Sequence, residues 1–193
     1  MAPASRAELR ARHPRLREAV LADARVTAAY RFERHEFRSR LDALLQILRL
    51  MCVSDAFLAH ALYRVKARGQ ALGVPVLPRI AHRLAMMVAQ VSIGDPVVVQ
   101  PGVYIVHGQV VIDGLVEIGS GAVIGPWVTV GLRGELQGPT IGAGVSIGTG
   151  AKVLGNVRVG DGAQIGANAV VLHDVPAGAT AVGAPARTVP SAP

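Results

Sequence analysis

The chain has 193 residues, 51% of them hydrophobic, and its 20 Lys+Arg against 13 Asp+Glu give a formal net charge of +7. This length holds one or two modules with a packed core. No run of 18 apolar residues occurs, which argues against a helical membrane span, and the charges spread through residues 1–50 do not fit a signal peptide.

Charge divides the chain near residue 90. Residues 1–90 hold sixteen of the twenty Lys+Arg and seven of the thirteen Asp+Glu, a net of +9, whereas residues 91–193 hold four and six, a net of −2. The basic part reads as helices. Leu16, Ala19, Val20 and Ala24 keep helical spacing after Pro14. Ser39 is placed to cap a helix through Leu41, Leu44, Leu45, Ile47, Leu48 and Met51. Ser54 with Asp55 starts a third helix, through Leu62 and Val65, expected to end before Gly69. A fourth spans Pro78 to Ala89, with Ile80, Leu84 and Met87 on one face. No interleaved aromatic residues or nucleic-acid motif accompany the arginines. They read as solvated faces or partners for Glu18, Glu33, Glu36 and Asp42, and no nucleic-acid partner is expected. The single Cys52 cannot form an internal disulfide and suits the reducing cytoplasm, which is the expected location.

From residue 93 to residue 176 the pattern changes to a six-residue rhythm. The anchors are Ile93, Val99, Ile105, Val111, Ile118, Ile124, Val130, Ile141, Ile147, Val153, Val159, Ile165 and Val171. One extra residue falls between Val111 and Ile118, and five fall between Val130 and Ile141. Gly follows eight of the thirteen anchors. The fifth place of each repeat is usually small or β-branched, as at Ala122, Val145, Ala151, Val157, Ala163, Ala169 and Val175. A hexapeptide period means a parallel β-helix. Short strands carry the β-branched anchors in interior ladders and meet at glycine-bearing corners. Three repeats per coil give a little over four coils. The fold class is thus α+β: a helical domain over 1–90, a β-helix over 91–176 and a tail over 177–193. Val97, Val103 and Val123 are expected to line flat outer faces of the prism.

Two stretches carry a family resemblance. Pro139-Thr-Ile-Gly-Ala-Gly-Val-Ser-Ile-Gly148 continues through Ala151-Lys-Val-Leu-Gly-Asn-Val-Arg-Val-Gly160 to Pro176, and Ala179-Thr-Ala-Val-Gly-Ala-Pro-Ala-Arg187 follows it. Together with Tyr104-Ile-Val-His-Gly108 they resemble the serine acetyltransferases of the hexapeptide acyltransferase superfamily. The resemblance covers roughly residues 56–188. It implies a left-handed parallel β-helix, assembly as a homotrimer or dimer of trimers, and acetyl-CoA as the donor, lying between neighbouring prisms. No metal is implied. His107 would be the general base for direct transfer to a small-molecule hydroxyl. Asp113 matches a family acidic residue after that His. Gly131, Thr149, Gly150 and Ala167 match the cofactor groove, with Lys152 and Arg187 as phosphate contacts. The only sizeable loop, within residues 132–139, is expected to leave the same prism edge as His107.

The sequence also departs from the family. Gly138 stands where the second catalytic His is expected, Val106 where an Asp precedes the first, and Ser92 where an acid faces the amino-acid substrate. The loop and its Gly138 are expected to leave room for a larger acceptor, such as a sugar hydroxyl, as an alternative to serine. The departures also keep a second reading open, a catalytically silent trimeric scaffold. The final residues, Val189-Pro-Ser-Ala-Pro193, lack the family's C-terminal Ile, so a complex with cysteine synthase is not expected.

Overall fold

The structure is a computed structural model that describes residues 11–134 and 136–189. The terminal residues that bear on the synthase complex therefore lie partly outside the described residues. Four helices come first: α1 (Leu16–Tyr30), α2 (Arg40–Val53), α3 (Asp55–Ala71) and α4 (Leu77–Ala89). Both serine caps form as the sequence predicts. Ser39 Oγ accepts the Asp42 N–H at 3.1 Å, and Ser54 Oγ accepts the Phe57 N–H at 3.3 Å. The third helix does not stop before Gly69 but runs on to Ala71. A Cβ at Gly69 would come within 3.1 Å of Pro78 Cγ, so the glycine serves close approach of α4 rather than termination. Arg34 pairs with Asp42, and Arg31 and Arg49 share Glu33.

Short strands then wind into three parallel sheets, the faces of a prism. The first face stacks β1 (Ser92–Ile93), β4 (Val111–Ile112), β7 (Thr129–Gly131), β10 (Lys152–Leu154) and β13 (Val170–Val171). The second holds β2 (Val98–Val99), β5 (Leu115–Ile118), β8 (Gln137–Ile141) and β11 (Arg158–Val159). The third holds β3 (Tyr104–Ile105), β6 (Val123–Ile124), β9 (Ser146–Ile147), β12 (Gln164–Ile165) and β14 (Thr180–Val182), with β15 (Arg187–Val189) antiparallel on β14. The first face has five rungs, so the helix has five coils rather than a little over four. The fifth is completed by Val175, bridged to Val159, and by Ala181, which pairs with Ile165.

The interior is the expected Ile/Val ladder, with one correction. Val111 is not an anchor: it is 43% exposed, while Val110 and Ile112 on either side are fully buried. Ile112 stacks between Ile93 and Val130. In an extended strand a one-residue slip exchanges the faces. The run Val110-Val111-Ile112 offers three β-branched residues, and composition alone does not choose among them. The extra residue thus belongs before β4 and not after it. A second correction concerns Val97 and Val103. Both are fully buried in the core and line no outer face.

Side chains of α3 close the start of the solenoid. Arg64 donates to the carbonyls of Val99 and Gln100, the latter at 2.8 Å, and to both oxygens of Asp23 on α1, at 2.9 and 3.2 Å. Asp23 Oδ1 also accepts the Gly102 N–H at 2.9 Å. Tyr63 Oη donates to Val97 O at 2.8 Å and accepts the Val99 N–H at 3.2 Å. Lys66 reaches Ile93 O and pairs with Asp95 at 2.9 Å. All of these α3 groups are buried.

Removing Arg64 would strand a buried Asp23 carboxylate and two first-coil carbonyls. Breaking one side of such a buried pair typically costs about 3–5 kcal/mol. Arg64→Met is therefore expected to lower unfolding free energy by that order in urea titrations, and a loss below about 1 kcal/mol would contradict the capping role.

His60 generates a second expectation. It is buried beside this network, its Nε2 has no hydrogen-bond partner and it lies 3.6 Å from Asp23. Burial lowers its pKa from 6.5 to about 4; Asp23 opposes this but is already committed to Arg64, whose charge lowers it further. The folded-state value lies below the unfolded one, so the unfolded chain takes up the proton first. Stability is complete above about pH 6.5 and falls as pH drops toward about 4. The loss is on the order of 3 kcal/mol. Melting curves across this window should fall more steeply for the wild type than for His60→Leu.

Candidate active site

His107 stands at the corner between β3 and β4, and the way that corner is built fixes where the ring emerges. The next residue, Gly108, lies against the end of α4, where a Cβ would collide with the Ala89 carbonyl oxygen. The same carbonyl accepts the Gln109 N–H at 2.9 Å. From the coil above, Ile124 O accepts the Val106 N–H at 3.0 Å. Gln109 adopts the left-handed conformation, φ 58°. Elsewhere along this edge the left-handed residue comes three places after its anchor: Trp127 after Ile124, Gly150 after Ile147 and Asn168 after Ile165. Gln109 comes four places after Ile105, which puts the extra residue of the coil into the His107 corner. The His107 side chain is exposed and outside the interior ladder.

Most of the candidate cofactor residues stack along this same edge. Gly150 N–H donates to Pro126 O at 2.9 Å, and Asn168 N–H to Thr149 O at 2.8 Å. The corners that carry His107, Trp127, Thr149–Gly150 and Ala167 therefore lie one above another. Lys152 begins β10 just past the corner, and its Nζ donates to Trp127 O at 2.6 Å. Ser92 is close below, its N–H bonded to Val110 O at 2.8 Å.

The remaining candidates lie elsewhere. Asp113 follows β4 at the opposite edge of the first face, its N–H bonded to Val130 O at 3.0 Å. Gly131 ends β7 at that far edge, and the chain leaves it there into the 132–136 segment. The expectation that this loop shares an edge with His107 is thus wrong, because β7 crosses the whole face before the loop begins. Gly138 is buried in β8, where a Cβ would approach Val116 Cγ2 to 2.5 Å. Val116 fills the side-chain space at Gly138, so the glycine opens none there. Arg187 lies at the closing end of the prism, in a groove of about 370 Å³ shared with His173 and Asp174.

Between the His107 edge and the helices lies a cavity of about 750 Å³. Arg31, Ser54 and Asp55 line its helical side, and Tyr104, Val106, His107, Gln109 and Trp127 line the prism side. Trp127 is 59% exposed on its left-handed corner. Tyr104 stacks on Tyr30 of α1 with ring centroids 4.4 Å apart, and burial raises its phenol pKa although Arg31 opposes this. Nothing in the residue order signals that Arg31 and Asp55 line one cavity with His107. Trp127 does carry a sign: the chain's single tryptophan sits where a left-handed corner usually takes glycine or asparagine.

Residues 138–173 match the family described as bacterial transferase hexapeptide (six repeats). The chain is 42% identical over 136 residues to the serine acetyltransferase of Helicobacter pylori strain J99, spanning 68% of this chain and 75% of that one. To the serine acetyltransferase of a Synechocystis species it is 43% identical over 135 residues, spanning 68% and 54%. It therefore spans about half the length of its cyanobacterial relatives. Among solved structures, the Neisseria gonorrhoeae serine acetyltransferase in complex with serine superposes with TM-score 0.72 at 27% identity, covering 90% of this chain and 69% of that one. A serine acetyltransferase in complex with CoA gives TM-score 0.72 at 26% identity, covering 95% and 73%. At 42% identity over three quarters of that Helicobacter pylori relative, the chain belongs to the serine acetyltransferase family.

Proposed function

We propose that this chain is an acetyl-CoA-dependent O-acetyltransferase acting on a hydroxyl of a small molecule such as serine, with His107 as general base. The observation that carries this reading is the alignment of His107 with Thr149, Gly150, Lys152 and Ala167 along one prism edge, beside an open cavity. One relative of this fold is solved with serine and another with CoA.

In the proposed reaction an imidazole nitrogen of His107 takes the proton of the acceptor hydroxyl. The oxygen attacks the thioester carbonyl, a C–O bond forms, and the C–S bond breaks. The departing CoA sulfur takes the proton from the imidazolium, which restores the neutral base. Backbone N–H groups are suited to holding the charge that develops on the carbonyl oxygen. Lys152 and Arg187 offer fixed positive charge to the donor's phosphates. Gly131, Asp113 and the 132–136 segment lie at the opposite edge of the same face. Prisms packed side by side in a trimer would bring one copy's far edge toward its neighbour's His107, which supports a site shared between copies.

Two measurements test this reading. His107→Ala is expected to reduce thiol release from acetyl-CoA about 10²–10⁴-fold, with an unchanged melting temperature because the ring lies outside the ladder. His173→Ala, at the closing end, should be nearly neutral. If His107→Ala keeps most of the rate with a verified acceptor, the general-base assignment is wrong. Acetyl-CoA at about a hundred times its Kd should stabilise the fold by about 2.7 kcal/mol. A melting temperature unmoved by acetyl-CoA and CoA alike would favour the scaffold.

A further inference from the structure

The His107 cavity carries two charges that the acyl-transfer step does not use. Arg31 follows the last residue of α1 and Asp55 is the first residue of α3, and both line the cavity with His107. Arg31 donates through Nε to Glu33 at 3.1 Å, and among the described residues its two terminal nitrogens have no partner. Glu33 also accepts from Arg49 at 2.8 Å, so one carboxylate serves two guanidinium groups. The Asp55 carboxylate makes no hydrogen bond or ion pair among the described residues. Ser54 already caps the helix, and Arg31 and Asp55 do not pair with each other. Among the described residues the cavity therefore carries a guanidinium whose two terminal nitrogens are unbonded and a carboxylate with no ion partner, not paired with each other.

A zwitterion with a hydroxyl fits such a site. A carboxylate matches the free fork of a guanidinium, which binds it in a fixed plane. An ammonium matches a lone carboxylate. Ser92, where the family resemblance expects an acid facing an amino acid, carries no charge here, and neither do Val106 and Gly138. We propose that Arg31 and Asp55 supply that grip from the helical domain, Arg31 on the acceptor's carboxylate and Asp55 on its ammonium, so that the remaining hydroxyl is presented to His107. The acceptor class is then a small hydroxy amino acid, and the two charges determine specificity rather than take part in the chemistry. This rests on the reading that the His107 cavity receives the acceptor.

Trp127, the only tryptophan in the chain, lines the cavity, and its emission can report binding. The full chain is titrated with L-serine, with L-serine methyl ester, which lacks the carboxylate, and with glycerate, which lacks the ammonium. Calorimetry serves as a second readout. The wild type should bind L-serine about tenfold or more tightly than either analogue, as expected for one charge-assisted contact each. Arg31→Gln should weaken L-serine by a similar factor and abolish discrimination against the ester, while keeping that against glycerate. Asp55→Asn should do the reverse. Neither should change acetyl-CoA affinity more than about twofold, which loss of helix structure alone would not reproduce as two opposite selectivities. Equal affinity for the three probes, unchanged ratios in the variants, or no binding by either readout overturns the proposal. Thiol release is measured separately. Serine binding governed by these two residues without thiol release leaves this inference standing and removes the acetyltransferase reading, whereas thiol release with a sugar alone does the opposite.

Discussion

A parallel β-helix has open ends, and at each one a coil presents backbone groups that no further coil will satisfy. Buried and unpaired, each such group carries a desolvation penalty. In this protein the first coil ends on α3, and Arg64, Tyr63 and Lys66 take the groups that a preceding coil would have taken. Asp23 then fixes Arg64 from α1. Much else depends on this contact. It sets the helices against the third face and brings Ala89 to Gly108. That closes the cavity in which His107, Arg31 and Asp55 meet.

The cap is ionic, and its ionic character limits the site in a useful way. A buried ion pair gives geometric definition more readily than net stability. Here the guanidinium has fixed partners on two domains, so α1 and α3 cannot slide against the prism without breaking several bonds at once. The cavity walls are thereby held in register, which a purely apolar interface of alanines would specify less tightly.

Much of this was legible from residue order. The six-residue period identified the prism and its ladder, because β-branched anchors at that spacing serve no ordinary strand, and apolar residues at helical spacing identified the helical prefix. The register failed at one place, the run Val110-Val111-Ile112, where every choice is β-branched and only the length of the His107 corner decides. The chain turns out at residues 132–134 on the other edge for a different reason, because β7 first crosses the whole face. Arg64 was invisible among sixteen basic residues that mostly do face solvent. Its sign was positional: Ala56, Ala59, Tyr63 and Ala67 form a helical stripe of mostly small residues that is entirely buried, and Arg64 adjoins it. Arg31 and Asp55 had no local sign, because their meeting depends on helix packing rather than on spacing.

The same architecture also sets an order of assembly. Within the prism each rung meets its neighbour at short range: Ile147 pairs with Ile165, eighteen residues on. The contact of Asp23 with Gly102 spans 79 residues. Chain closure over the longer loop costs more entropy and is rewarded only once both partners exist. Coils can therefore stack locally, as in other linear repeat proteins, while docking of α1 comes late. A folding chain would thus pass through a wound prism whose His107 corner is formed but whose cavity still lacks the Arg31 part of its wall.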